Sequence, residues 1–223
     1  MAAISPVSER LTVTALLLLT VATGLVDAIS VLVLGHVFVA NMTGNAIFLG
    51  FWFVPHSGVD LTAAVVGVGG FLVGSVLGGR LIHQLVEQAR RWLTTALGTE
   101  VAVLAVLSIL VGAGVLGFQG ADRLVLIAAL ATSFGLQNAT ARQFGIQELT
   151  TTVLTSTIVA IGVNSRLAGG AAEQEKLRYG VLAAMTGGAV VGATLSRVAV
   201  APVIGLAAVV VAASLLIFQF GRA

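Results

Sequence analysis

Residues 24–50 read GLVDAISVLVLGHVFVANMTGNAIFLG, an apolar stretch broken by Asp27 and by the polar cluster NMTGN at 41–45. A second stretch carries the same landmarks, with GLQN at 135–138 and LTST at 154–157. Polar groups are unfavourable inside a bilayer, and matching breaks in two parts of a membrane chain are typical of internally repeated transporters. The two clusters therefore predict an internal repeat and the place of a functional site.

The composition of the chain is that of an integral membrane protein. Of its 223 residues, 58% are hydrophobic and 9% are charged, and the mean hydropathy is +1.09. Soluble domains carry about 25% charged residues. The net charge of +2 offers no basic patch for nucleic acid, and the absence of cysteine excludes disulfides and thiolate metal sites. Since no phosphate loop, metal cluster or hydrolase triad is recognisable, we expect neither an enzyme nor a cofactor.

Long runs of Ala, Leu, Val and Gly predict an all-α, polytopic membrane protein. A helix needs about 20 apolar residues to cross the bilayer core. The runs that reach this length are 11–32, 61–82, 97–118, 122–141, 178–198 and 201–220. Two shorter runs, 37–54 and 149–165, contain the polar clusters. We predict one membrane domain over 1–223, with a first repeat at 11–118 and a second at 122–220.

The basic residues indicate whether the two shorter runs cross the membrane, because cytoplasmic loops are rich in Lys and Arg. If every run crossed, the basic residues would divide almost evenly between the two sides. If the shorter runs turn back, only Arg123 and Arg197 of the 11 basic residues lie outside. We therefore predict six transmembrane helices, two short re-entrant or broken helices, and both termini in the cytoplasm. With three crossings per copy, the repeat is inverted.

Asp27 is an acidic residue inside an apolar run, and an ionisable residue within a membrane segment is expected to have a function. We assign it to proton coupling. The alternative is a structural carboxyl that binds backbone amides of the neighbouring re-entrant segment. Its counterpart Asn138 cannot ionise, so proton coupling would belong to one half only.

The polar clusters predict two half-helices that begin within the membrane. Asn and Thr are good N-caps, and a half-helix directs free N–H groups and its positive dipole end into a cavity. The predicted substrate-binding residues are Asn41, Thr43, Gly44, Asn45, Gln137, Asn138, Thr155, Ser156 and Thr157. A central site of this kind favours a small polar or anionic solute. Alternatively, these residues only satisfy the broken backbone.

Glycines recur at matching places in the third run of each repeat. Gly70, Gly74 and Gly78 are spaced four apart, as are Gly188, Gly192 and Ser196. Small residues on one face let helix backbones approach closely in lipid. The pattern indicates helix packing or a dimer seam, with a narrow pore wall as the alternative.

The segments GLVDAIS (24–30), FVANMTGN (38–45) and LG (49–50) resemble the YoaK-like family, a bacterial group of small multi-pass membrane proteins without assigned function. The glycine-rich helix at 74–80 and the chain length are also similar to that family. The resemblance implies a location in the bacterial cytoplasmic (inner) membrane and about six helices. It implies no substrate.

Together these patterns favour a small-solute transporter, with proton coupling through Asp27 as an added hypothesis. The alternatives are a passive channel of the same architecture and a non-transporting scaffold or lipid-interacting protein. The expected partners are the lipid bilayer and a small solute, without nucleic acid. At 223 residues the chain is small for a secondary transporter, so a homodimer is a further expectation.

Overall fold

The computed structural model describes residues 5–54, 58–145, 154–170 and 174–222, and within these ranges it contains helices and no strands. The α-helices are α1 (Glu9–Leu32), α2 (Met42–Leu49), α3 (Leu61–Gln84), α4 (Ala89–Gly112), α5 (Gly120–Arg142), α6 (Leu154–Val163), α7 (Glu175–Ser196) and α8 (Ala201–Phe220). Short 3₁₀ turns follow α2 and α6. The second short run is thus described from residue 154 onward. The predicted all-α class is confirmed.

Six of these helices are long and apolar enough to span a bilayer: α1, α3, α4, α5, α7 and α8. They contain 20–24 residues each, with mean hydropathies between 1.3 and 2.6. The prediction of six transmembrane helices in a polytopic membrane protein is confirmed.

The fourth helix begins earlier than its apolar run. The sequence places this span at 97–118, but α4 starts at Ala89. Its polar first turn is anchored by Arg90, whose guanidinium donates to the carbonyls of Gln219 at 2.7 Å and Gly221 at 3.0 Å. The earlier start moves Glu100 from the edge of the span to the middle of the helix.

Helix contacts show which helix ends share a face of the bundle. Ser8 N–H donates to the Arg222 carbonyl at 3.1 Å, so the start of α1 meets the end of α8. Arg90 brings the start of α4 to the same place. We call this side the terminal face and the opposite side the distal face. At the distal face, Ser108 of α4 donates to the carbonyl of Ala201, the first residue of α8, at 2.8 Å.

The end of α1 and the starts of α3 and α5 meet at the distal face. Arg123, in the first turn of α5, forms an ion pair with Asp60, the N-cap residue of α3. The same guanidinium lies against Gly35, just after α1, so that a Cβ there would come within 2.8 Å of it. Hence α1 ends, and α3 begins, on one face of the bundle.

The directions of the other helices follow from parallel packing. Along α3 and α5, Gly70 contacts Ala128 and Gly78 contacts Ala139, so the two helices run in the same direction. Likewise α7 runs parallel to α1 and begins at the terminal face. At that face Phe144, just after α5, stacks on Phe218 of α8 with ring centroids 5.3 Å apart. Therefore α5 ends, and α7 begins, on the terminal face.

Helix contacts, both extensive and small, occur in matched pairs when α1–α4 are equated with α5–α8. The contact of α1 with α7 is matched by α5 with α3, and that of α1 with α8 is matched by α5 with α4. The contacts α2–α3 and α3–α4 are matched by α6–α7 and α7–α8, while α4–α8 is its own counterpart. The predicted repeat would give this pairing, and the division of the chain into two repeats stays a prediction.

The glycine patterns form the seams between the halves. A Cβ on Gly74 would overlap the Thr132 carbonyl of α5, and a Cβ on Gly188 would overlap the Val21 carbonyl of α1. The small residues therefore let α3 approach α5, and α7 approach α1, at backbone distance. Their role in packing within the chain agrees with the sequence interpretation.

Candidate functional site

Asp27 lies near the end of α1 and holds the extended segment that leads into α2. Its Oδ1 accepts the N–H groups of Val39 at 2.9 Å and Ala40 at 3.0 Å, and its Oδ2 accepts Asn41 Nδ2 at 2.5 Å. Asp27 as a whole is 5% exposed. Each of these neighbours is an N–H donor, so the surroundings suit an acceptor-only carboxylate. Asp27 thus satisfies backbone groups at a break between helices.

Asn45 closes the same turn from inside α2. Its Oδ1 accepts Phe38 N–H at 2.9 Å, and its Nδ2 donates to the Phe38 carbonyl at 2.6 Å. Asn45 is fully buried, and the Phe38 ring packs directly on Gly44. The amide of Asn45 is therefore engaged by the backbone, and Gly44 makes room for an aromatic ring.

A pocket of ≈ 280 Å³ opens beside Asp27, between α1, α7 and the segment before α2. Its polar groups come from Asp27 and Asn41. Its apolar wall includes Val31, Leu32, Phe38 and Met185. Almost all of the surface that lines the pocket is nevertheless apolar, because the Asp27 oxygens are occupied by the hydrogen bonds described above.

The structure does not bring all the predicted binding residues to one place. Thr43 is exposed on α2, and on α6 Thr155 and Ser156 are exposed while Thr157 is buried. Among the extensive helix contacts of the described residues, α2 packs on α3 and α6 packs on α7, with none between α2 and α6. The two short helices are thus held apart by their attachment to different long helices. The polar residues gathered at the pocket are Asp27 and Asn41, with Asn45 behind them.

The counterpart of Asp27 behaves differently. Asn138 donates from Nδ2 to the Phe134 carbonyl of its own helix at 3.0 Å. The related positions therefore differ in charge and also in the direction of at least one hydrogen bond.

A second buried polar group lies where α1, α4 and α5 meet. Gln137 and Glu100 are 0% exposed, as is Thr23. The Gln137 amide lies between the two other side chains: one of its terminal atoms is 2.6 Å from Glu100 Oε1, and the other is 3.3 Å from Thr23 Oγ1. We call Thr23, Gln137 and Glu100 the central cluster. Gln137, predicted to bind substrate, is enclosed here and away from the pocket.

Sequence reasoning missed Glu100 because the predicted span began only three residues before it. A signal was present nevertheless. Glu100 shares one helical face with Leu93, Leu97, Leu104 and Leu107, all buried. A carboxyl on a leucine stripe faces the protein interior, where an ionisable group in a membrane helix is expected.

The ion pair at the distal face stabilises the starts of α3 and α5. Asp60 Oδ1 accepts Ala63 N–H at 3.0 Å, which caps α3, while Oδ2 faces Arg123. The Ala63 amide and the Arg123 charge hold the pKa of the Asp60 carboxyl below its usual value, although partial burial acts the other way. This pair fixes the helices that flank the segment after α1.

Comparison with known proteins gives a family without an assigned activity. The family model described as "Protein of unknown function (DUF1275)" matches residues 15–217. The chain is similar to the UPF0700 transmembrane protein YoaK of Bacillus subtilis (strain 168), with 34% identity over 154 residues. The alignment covers 66% of this chain and 64% of that relative, slightly less than two thirds of its length. No solved structure matches significantly.

The family match extends from α1 into α8 and so includes the pocket, the central cluster and both glycine seams. It confirms the resemblance predicted from the segments around Asp27. The chain belongs to the DUF1275 family and is a YoaK-like multi-pass transmembrane protein.

Proposed function

We propose that this membrane protein is a transporter of a small solute, built as an inverted repeat in which α2 is a re-entrant helix. The observation that carries the proposal is that Asp27 accepts hydrogen bonds from non-helical backbone beside a pocket. Non-helical backbone is tolerated at membrane depth where it is buried in protein or lines a cavity. Secondary transporters bind their solutes at such breaks.

The arrangement of helix ends supports a re-entrant α2. Because α1 ends and α3 begins at the distal face, α2 lies between two helices that meet there. Asp27 lies more than one turn before the end of α1 at Leu32, a rise of about 7 Å. The amides of Val39 and Ala40 reach back to that depth. These hydrogen bonds support the proposed membrane depth of α2.

Charge supports placing the terminal face in the cytoplasm of a bacterial inner membrane. The basic residues at helix ends on that face are Arg10, Arg80, Arg90, Arg91, Arg142, Lys176, Arg178 and Arg222. On the distal face they are Arg123 and Arg197. This imbalance follows the positive-inside rule. The inner membrane, the cytoplasmic termini and a homodimer stay predictions.

Single cysteines should reveal six crossings, since the chain has no cysteine of its own. We expect Glu9→Cys and Glu87→Cys to react with a membrane-impermeant maleimide from the cytoplasmic side only, and Val115→Cys from the outside only. Ala96→Cys, at a buried position, serves as the unreactive control. Eight crossings would place residues 9 and 87 on opposite sides, and that result would exclude a re-entrant α2.

The chemistry of the pocket indicates which solutes it would accept. The Asp27 carboxylate already binds the amides that precede α2, where an anion would otherwise be attracted. A neutral or cationic group is compatible with the nearby Asp27 carboxylate, and the almost wholly apolar lining suits an apolar portion of the solute. This proposal keeps the small polar solute and drops the anionic one.

Protonation of Asp27 would alter the pocket directly. A proton on Oδ2 would place an O–H group against the Asn41 amide, which already donates. Asn41 would then have to turn and present its oxygen to Asp27, which changes the group that it offers to a solute. Proton coupling through Asp27 is proposed on this basis.

Transport in proteoliposomes tests the proposal. We would measure currents on solid-supported membranes with alanine, methylamine and choline, under an imposed pH gradient. For an accepted solute, we expect the gradient to drive uptake by the wild type, Asp27→Asn to abolish that dependence, and Glu9→Gln to retain it. Gradient-driven flux that persists unchanged in Asp27→Asn would exclude Asp27 as the coupling residue, whereas flux that is independent of the gradient in both proteins would indicate a passive channel. Absence of flux with all three probes would contradict the solute class proposed here and favour a scaffold.

A further inference from the structure

We infer that the central cluster is a proton-binding site, in which Glu100 carries the proton and the Gln137 amide turns when the proton leaves. The site is separate from Asp27, which lies in the pocket and binds the segment before α2. Its assignment stands without the proposed function. Its use in driving transport would rest on that function.

The distance between Gln137 and Glu100 suits a protonated carboxyl. In one orientation of the amide, Gln137 Oε1 lies 2.6 Å from Glu100 Oε1, while Nε2 donates to Thr23 Oγ1 at 3.3 Å. Hydrogen bonds from O–H to O measure about 2.5–3.0 Å, and those from N–H to O about 2.7–3.2 Å. A Glu100 O–H that donates to the Gln137 carbonyl therefore accounts for the close approach.

The opposite orientation suits the ionised carboxyl. With the amide turned, Nε2 donates to Glu100 at 2.6 Å and 3.3 Å, and Oε1 accepts the Thr23 hydroxyl at 3.3 Å. Amide orientation is assigned from hydrogen-bond partners, and here each orientation matches one protonation state of Glu100. In the turned orientation the Thr23 hydroxyl must also leave the Leu19 carbonyl, to which it donates at 3.0 Å, in order to donate to Gln137. Gln137 therefore converts loss of a proton into a reversal of its hydrogen bonds to α1 and α4.

No cation in the described residues offsets a charge on Glu100. The central cluster is fully buried. The ion pair found among the described residues, Arg123 with Asp60, lies apart from it at the distal face. Among the helices packed around Glu100, α8 contains no ionisable residue. The ionisable residues of the other helices lie toward helix ends: Glu9, Arg10 and Asp27 on α1, Arg80 and His83 on α3, Arg90 and Arg91 on α4, and Asp122, Arg123 and Arg142 on α5. An isolated buried charge is strongly disfavoured, so the neutral acid is the resting form.

Two buried hydroxyls extend the polar face of α5 on either side of Gln137. Ser133 Oγ and Thr140 Oγ1 have no hydrogen-bond partner in the described part of the chain, although both residues are buried. Spacings of four and three residues place them on the same helical face as Gln137. They supply hydrogen-bonding positions for water, to which Glu100 releases its proton and from which it regains one.

Infrared difference spectroscopy on the full chain in lipid nanodiscs tests this site without a known solute. At neutral pH we expect a C=O stretching band from a protonated, hydrogen-bonded carboxyl. The band should be lost in Glu100→Gln and retained in Asp27→Asn. In Gln137→Leu it should persist at higher frequency, because the acid has lost its acceptor.

Two outcomes would overturn the inference. One is the absence of a protonated-carboxyl band in the wild type, and the other is a band that Gln137→Leu leaves unmoved. The Gln137 variant decides the matter even if Glu100→Gln fails to fold, because the glutamic acid itself remains. The result is also independent of transport: a band without flux supports this site alone, whereas flux without a band supports the transporter alone.

Discussion

A valine at Gly74 is expected to prevent stable assembly of the bundle, while a valine at Gly69 on the same helix leaves it folded. A Cβ at Gly74 would overlap the Thr132 carbonyl and lie 3.0 Å from Leu136 N. Both obstacles are backbone atoms, which cannot rotate away. Overpacking costs about 1–3 kcal/mol where a core can adjust, so a loss of about 3 kcal/mol or more is expected here. Size-exclusion profiles and thermal melting in detergent would measure it.

The second half provides matched controls for the same experiment. Gly192 is the counterpart of Gly74, and a Cβ on it would come within 2.5 Å of the Leu25 carbonyl. Gly187 corresponds to Gly69, and both face open space. We expect valine to be disruptive at Gly192 and tolerated at Gly187. Equal tolerance at the seam and open positions would show that α3–α5 and α1–α7 do not pack at backbone distance.

Asp27→Ala is expected to release the segment that leads into α2. The substitution leaves three donors without their acceptor: Val39 N–H, Ala40 N–H and Asn41 Nδ2. Each unsatisfied buried donor costs about 1–3 kcal/mol, so the segment loses about 3 kcal/mol or more of local stability. Hydrogen exchange at residues 39 and 40 should accelerate strongly, and this is the measurement to make.

Asp27→Asn separates the structural role of this residue from its charge. The remaining amide oxygen can accept both backbone N–H groups, so we expect clearly less acceleration of exchange than in Asp27→Ala. Glu9→Ala, which removes an exposed acid on the same helix, should leave exchange at these amides unchanged. Identical effects of alanine and asparagine would contradict the role of Asp27 as an acceptor for the turn.

Hydrophobic run length was sufficient to predict the helical class and the six long helices, because bilayer thickness sets their length. Hydrogen bonding between Asp27 and the segment around 41–45 could also be predicted, since a broken backbone in lipid needs a polar partner. The sequence did not show on which long helix each short helix packs, because packing on α3 or α7 depends on the fit of residues far apart in the chain. Glu100 was missed because hydropathy locates the apolar run, while the helix continues through Arg90 into the polar interface.

The crossed packing of the halves limits how this protein can move. Since α1 packs closely against α7 and α5 against α3, parting α1–α4 from α5–α8 would break both glycine seams. The closely packed groups are therefore mixed: α1 with α7 and α6, and α5 with α3 and α2. Asp27 belongs to the first group, while the amides it binds lead into α2 of the second. Its hydrogen bonds thus join the two groups, and any movement of one group against the other would have to break them.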